Sequence, residues 1–434
     1  MDKMADVLGR AGAWCGQNKY LSAIKNAFQN FMPLTIAGAI GVLWCNVLVN
    51  DQTGLGLFFK PIMALDFLNP AFQAVNFCTI SCITVGITLG IAQEIGVWNM
   101  GAEKAGYIPG LVGLAAWLSV TNTSHMVEGA KEAFTGIAGN ELGATGLFTG
   151  MIIGVLSVEL FCFFEKQDAL KIKMPEQVPP GVARAFEVLV PATITLIITA
   201  CIGSACYNLT GLYLNDVIKN GIQGPLGAVG ATIPGVMIIY LVIMLFWLVG
   251  IHGNNMLSAV KEALFTPLAL ENVEAFNKGE TPKNIINMYF LQMCGEFGGS
   301  GVTIGLVIAI MIFGKREDNK AIASLSLVPG LFNINETVTF GIPMVLNPIL
   351  GIPFVFACLV TILVGYVLTV IGFCPVACLT VPWTTPPIVF GFLATGANIM
   401  GAVTQAILIV VSTVIYTPFL ISYEKYQNKQ AAEA

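Results

Sequence analysis

Phe332-Asn333-Ile334-Asn335-Glu336-Thr337 carries the only Asp, Glu, Lys, Arg or His in the 103 residues between Lys320 and Glu424. The surrounding run is otherwise apolar enough to sit inside a bilayer, where a charged side chain costs about 2.5–3.5 kcal/mol on insertion scales. A cost of that size calls for a partner or a task. Asn333, Asn335, Thr337 and Thr339 crowd around the carboxylate, between Pro329-Gly330 and Gly341-Ile342-Pro343. That pattern describes broken backbone lining a cavity, not a lipid-facing helix.

Composition extends this reading to the whole chain. It is 56% hydrophobic and 10% charged, with a mean hydropathy of +0.79, whereas soluble domains carry about 25% charged residues. The formal charge of −5 supplies no basic patch for nucleic acid. The 11 cysteines are odd in number, contain no CxxC pair and mostly lie in apolar runs. There they act as small hydrophobes, so neither a disulfide framework, a metal site nor a cofactor is expected. Residues 1–20 mix charges with apolar positions and lack a signal-peptide core, which suits an interfacial amphipathic helix.

Apolar stretches of about 20 residues, the length that crosses roughly 30 Å of hydrocarbon, fall at 27–48, 73–93, 106–121, 144–164, 186–208, 228–250, 286–313, 351–372 and 402–422. Lys/Arg clusters at the N-terminus, in 165–185, in 314–320 and in the tail place these segments in the cytoplasm by the positive-inside rule. An even number of crossings after Lys320 then leaves 321–347 and 373–400 as re-entrant hairpins, in keeping with their many prolines. In 251–313, either a further hairpin exists or the charge rule fails locally. The expected fold is an all-α polytopic membrane protein of about ten transmembrane helices, with two re-entrant hairpins and amphipathic interfacial helices.

The two halves differ. Residues 1–212 hold ordinary spans, whereas 227–434 hold the Gly/Pro-interrupted segments and most buried polar groups, as in a transporter's binding site. Between them, 213–226 reads as an amphipathic connector, with Leu214, Val217, Ile218 and Ile222 on one face and Asn215, Asp216, Lys219 and Asn220 on the other.

The chemistry-bearing residues lie mainly in the second half. His252 follows an apolar run, with Gly250 and Gly253 free to open the backbone. Taken alone it either caps a helix end or pairs with Glu336. Glu296, in Cys294-Gly295-Glu296-Phe297-Gly298-Gly299-Ser300-Gly301, reads equally as packing or ligand contact. Trp247 and Trp383 are either interfacial anchors or platforms for sugar rings, each with one N–H donor. Asn335 and Asn398 add amides, and Asn254 follows the His-Gly pair. His125 reads as a solvated loop residue and Glu159 as a packed or interfacial one. Together these groups suit a neutral, polyhydroxylated ligand, and a buried carboxylate can also act as a general base.

Several motifs resemble one family. They are Gly250-Ile251-His252-Gly253, Phe297-Gly298-Gly299-Ser300-Gly301, Ile334-Asn335-Glu336 with Phe340-Gly341-Ile342-Pro343, Pro382-Trp383-Thr384 and, earlier, Lys173-Met174-Pro175-Glu176. The chain resembles the membrane-embedded enzyme IIC components of the phosphoenolpyruvate-dependent sugar phosphotransferase system, in the lactose, cellobiose and diacetylchitobiose branch. Thr337 stands where related chains often carry proline, and Asn254-Asn255 where small apolar residues are common.

The Lys/Arg clusters place both termini in the cytoplasm, and the resemblance implies a permease in the bacterial cytoplasmic membrane, with no cofactor. It implies a homodimer built through 1–212 and an elevator-like sugar-binding domain in 227–434, surrounded by membrane lipid. The sugar, a β-linked disaccharide, would present its 6-hydroxyl to the phosphocysteine of a separate cytoplasmic enzyme IIB, itself charged by enzyme IIA. Glu336 and His252 would act on the hydroxyl, with Trp247, Gly253, Asn254, Glu296, Asn335, Trp383 and Asn398 holding substrate. Read without the resemblance, the residues also fit an ion-coupled secondary transporter using Glu336 and His252 as a proton relay, or an uncoupled sugar receptor or channel.

Overall fold

A computed structural model describes residues 2–51, 55–125, 134–175 and 177–433, and most of them are helical. The chain divides into two compact units. One comprises Gln17–Thr35 and Phe77–Ala228, the other Met1–Gly16, Ile36–Asn76 and Val229–Ala434.

Each of the expected apolar spans contains helix. Among the described residues, Lys19–Leu48, Ala144–Glu165, Pro180–Thr210, Gly351–Val370 and Ile399–Glu433 are long and apolar enough to cross a membrane singly. Two bent pairs raise the number to seven: Lys60–Ser81 with Ile83–Met100 (42°), and Met288–Val302 with Ile304–Phe313 (59°). Ile108–Val120 and Ile233–Leu248 are apolar but shorter.

In the first unit, apolar helices approach closely through small residues. A Cβ added to Gly113 would lie 2.3 Å from the Ala92 Cβ, and one on Gly150 would lie 2.2 Å from the Thr88 hydroxyl. These contacts bring Ile108–Val120 and Ala144–Glu165 onto Ile83–Met100, around a fully buried Trp117. Charges gather near helix ends. The buried Glu165 carboxylate meets Lys104 at 2.8 Å and Arg184 at 3.0 Å. Glu159 pairs with Lys19 at 2.6 Å, so it is a packed residue.

Two expectations need correction, and one region left open by the sequence contains an unforeseen element. Helix Leu214–Ile218 buries Asn215 together with Ile218, so the connector's polar face is not wholly solvated. It packs on Ala144–Glu165 and Pro180–Thr210, and burial follows from those neighbours, not from residue polarity. His125 is half-buried on a two-residue ladder pairing Ser124–His125 with Phe134–Thr135, its ring 5.6 Å from that of Phe134. Finally, 251–313 contains a separate 20-residue helix, Ser258–Asn277, which Lys261, Glu262, Glu271 and Glu274 hide from a search for apolar runs.

The second unit has a core of Tyr240, Trp247, Phe265, Phe290, Phe354 and Tyr416, each almost fully buried. Its helices are interrupted. Met288–Gly295 and Ile304–Phe313 are separated by a glycine turn, and Glu317–Leu331 ends at a short break before Glu336–Gly341. Residues 371–388 contain no regular helix before Val389–Ala394. The breaks bring their side chains to one cavity.

Candidate functional site

A cavity of about 530 Å³ opens within the second unit. That is within the range of about 300–1,000 Å³ usual for small-molecule sites. It is built where helix ends and breaks meet.

Helix Ile233–Leu248 ends just before Gly250, whose φ of +81° turns the chain into His252. Gly253 packs directly on this helix: a Cβ there would lie 2.0 Å from the Ile243 carbonyl oxygen. The close approach sets His252 at the start of helix Gly253–Met256, where Nδ1 accepts the Asn255 N–H at 3.3 Å. A neutral imidazole accepting through Nδ1 carries its proton on Nε2, and Nε2 lies 3.8 Å from the Glu336 Oε1. The histidine therefore both caps a helix and faces the carboxylate. Their separation is too long for a hydrogen bond, which leaves both groups able to engage a hydroxyl. Glu336 is about half exposed, at 47%.

Two asparagines hold the break that carries Glu336. Asn333 adopts φ +64°, a region asparagine tolerates better than most side-chain-bearing residues. Its Oδ1 accepts the Gly298 N–H at 2.6 Å, and its Nδ2 donates to the Trp383 and Thr385 carbonyls. One side chain thus ties the glycine turn, the break and the proline-rich 382–387 segment together. The buried Asn335 donates to the Ser300 carbonyl at 2.9 Å and to the Thr339 hydroxyl at 3.1 Å. Gly299, at φ +88°, permits this contact, because a Cβ there would sit 2.6 Å from the Asn335 Cβ.

On another part of the wall, Glu296 closes helix Met288–Gly295 and accepts the Tyr240 hydroxyl at 2.7 Å. The same oxygen pairs with the ammonium of Lys261, which is only 6% exposed. Trp383 offers a partly exposed indole to the cavity.

The structure therefore gathers His252, Asn254, Glu296, Asn335, Glu336 and Trp383 at one cavity. Three expected substrate contacts are elsewhere. Trp247 is 1% exposed and packs behind His252, with ring centroids 4.4 Å apart. Gly253 faces the Ile243 backbone, as above. Asn398 accepts the Met400 N–H at 2.9 Å at the start of helix Ile399–Glu433. Sequence reasoning missed Lys261, Glu262 and Gln292 as lining residues, whereas Asn333, read as part of a cavity-lining break, does line it. The available signal was the adjacent Lys261-Glu262 pair so soon after His252.

The site combines a carboxylate, an imidazole, amides, an ion pair and an aromatic face, a set suited to sugar hydroxyls. The sequence profile described as "Phosphotransferase system, EIIC" matches residues 25–358, a stretch that includes His252, Glu296 and Glu336. The chain belongs to this EIIC family. The oligo-beta-mannoside-specific EIIC component of Bacillus subtilis (strain 168) is 34% identical, over 98% of this chain and 94% of that one. The cellobiose-specific EIIC component of Lactococcus lactis subsp. lactis (strain IL1403) is 29% identical, over 98% of each. The crystal structure of the transporter ChbC, the IIC component from the N,N'-diacetylchitobiose-specific phosphotransferase system, superposes with a TM-score of 0.88. It is 30% identical and 97% of each chain is covered. Trp383 lies beyond the stretch matched by the EIIC profile, but these full-length likenesses extend over nearly all of the chain.

Proposed function

We propose that this EIIC chain is a sugar permease that moves a β-linked disaccharide inward across the bacterial cytoplasmic membrane and presents its 6-hydroxyl to the phosphocysteine of a separate enzyme IIB. The observation that carries the reading is the His252–Glu336 pair, 3.8 Å apart, in a cavity with room for a disaccharide. The β-linkage is inferred from the sugars in the names of the relatives.

In the transfer step, the sugar oxygen attacks phosphorus as the sulfur–phosphorus bond breaks, and the cysteine leaves as thiolate. The hydroxyl proton passes to Glu336. His252, with Nε2–H facing the same point, orients the hydroxyl and offsets charge developing there. Asn335 and Trp383 would bind the sugar. In this reading, 321–347 and 373–400 enter the membrane as re-entrant hairpins, completing about ten crossings with both termini cytoplasmic. Residues 1–212 form the homodimer contact and 227–434 shift as an elevator, linked through 213–226.

The test compares sugar binding with phosphoryl transfer from purified phospho-IIB for Glu336→Gln. Loss of the base should slow transfer by about 10²–10⁴-fold, beyond a binding loss of about 1–3 kcal/mol. Near-normal transfer would remove Glu336 from the chemistry. Uptake that needs no phosphorelay and stops when the proton gradient collapses would favour an ion-coupled transporter instead.

A further inference from the structure

We infer that Lys261 and Glu296 form a second polar pole of the cavity, which reads adjacent hydroxyls on the sugar ring that is not phosphorylated. The inference rests on the permease reading above and adds a specificity-determining residue, Lys261, to it.

Lys261 comes from helix Ser258–Asn277 and Glu296 from the end of Met288–Gly295. Tyr240, on Ile233–Leu248, fixes both partners. Its hydroxyl donates to the Glu296 Oε1 at 2.7 Å, and its ring centroid lies 5.6 Å from the Lys261 ammonium. The Tyr240 hydroxyl and the Lys261 ammonium both donate to the Glu296 Oε1, and among the described residues Oε2 has no partner. The ammonium gives one N–H to Glu296 and keeps two. The pair therefore presents a donor and an acceptor side by side on the cavity wall, the complement of two neighbouring hydroxyls.

Stability alone does not account for this pair. A buried ion pair is often no better than an apolar pair of similar volume, and ionisable groups inside an apolar membrane unit usually mark a substrate path. The pair is also formally neutral, so it accommodates an uncharged glycoside without leaving a bare charge. Because His252 and Glu336 face the reacting hydroxyl, the second pole falls to the other ring. A polar site of this kind discriminates sharply, since an analogue lacking the hydroxyl leaves its donor or acceptor unpaired.

Calorimetric titration of the purified full chain tests this. Wild type is titrated with cellobiose, β-1,4-mannobiose, lactose and N,N'-diacetylchitobiose, and then with the methyl β-glycoside of the phosphorylated ring of the best ligand. Lys261→Met and Glu296→Gln should weaken the disaccharide by about 10- to 100-fold, the loss of a charged hydrogen bond, and change the monosaccharide less than about twofold. Tyr240→Phe keeps the ion pair and should produce a smaller loss of the same selective kind, which covers the case in which Lys261→Met does not fold. Equal losses for both ligands would make the pair a scaffold only and overturn the inference, as would no loss for either. A wild type that binds none of the four disaccharides would defeat the permease reading itself.

Discussion

Glycine lets elements approach closely in both units, and in the unit containing Val229–Ala434 it also breaks helices beside the cavity. In the unit of Gln17–Thr35 and Phe77–Ala228, helices Ile108–Val120, Ala144–Glu165 and Pro180–Thr210 run without a break. Gly113 and Gly150 there thin the helix surfaces so that neighbours touch. In the unit containing Val229–Ala434, Gly298, Gly299 and Gly301 all take positive φ and stop a helix. Equally apolar sequence thus yields a close-packed bundle in one unit and a polar cavity in the other. The difference lies in what happens to freed backbone groups. A broken helix exposes N–H and C=O groups that an apolar medium cannot solvate, so the second unit must supply side-chain partners. Asn333, Asn335 and Gln405 do this. Gln405, 1% exposed, accepts the Ile388 and Gly391 N–H groups at 2.7 Å and donates to the Met293 carbonyl at 3.1 Å.

Asn333→Ala challenges this contrast most severely. It removes bonds to the buried Gly298 N–H and to the more open Trp383 and Thr385 carbonyls at once, and a buried group left unpaired costs about 1–3 kcal/mol. Sugar binding should fall by about 10- to 100-fold and the thermal midpoint should drop, both readable on purified protein. Unchanged binding would mean that the break holds itself open without the asparagine.

A smaller effect, confined to stability, should follow Gly113→Ala in the other unit. Alanine favours a helix over glycine by about 1 kcal/mol, but its Cβ would meet the Ala92 Cβ, and overpacking costs about 1–3 kcal/mol. Since Ala92 is short and fixed to its own helix, overpacking should win and the midpoint should fall, with sugar binding per folded molecule unaltered. A parallel loss of binding would show that the two units do not divide the work as their backbones suggest.

Lys19→Met should matter least. The Lys19–Glu159 pair is 25% and 30% exposed, and pairs this open contribute about 0–1 kcal/mol. A midpoint shift larger than that of Gly113→Ala would place the unit's stability in its charges and not its helix contacts.

Much of the site was legible because a membrane makes polarity expensive. Glu336 stood alone in its apolar run and His252 ended another, and these two residues meet. Lys261 escaped notice for the converse reason. Four charges in Ser258–Asn277 keep that helix out of a search for apolar runs, and the partner Glu296 is 35 positions away, a distance no local period reveals. Trp247 and Trp383 looked alike in sequence, yet one is walled behind His252 and the other faces the cavity. Asn398 looked like a ligand amide but caps a helix, since an exposed helix start and a sugar hydroxyl both satisfy the same group.

Sequence alone determined that the chain is helical, rich in membrane-length apolar segments and broken in its second half, and its motifs identified the family. These properties follow from composition, from local backbone preference and from the cost of charge in an apolar medium, all of which act within a few residues. Only the tertiary structure decided which polar groups share a cavity, that Asn333 ties three segments, and that Tyr240 and Lys261 converge on one oxygen of Glu296. Those arrangements depend on which helix ends pack together, and a pair such as Lys261 and Glu296 acquires its meaning only when two separate helices bring it to the same wall.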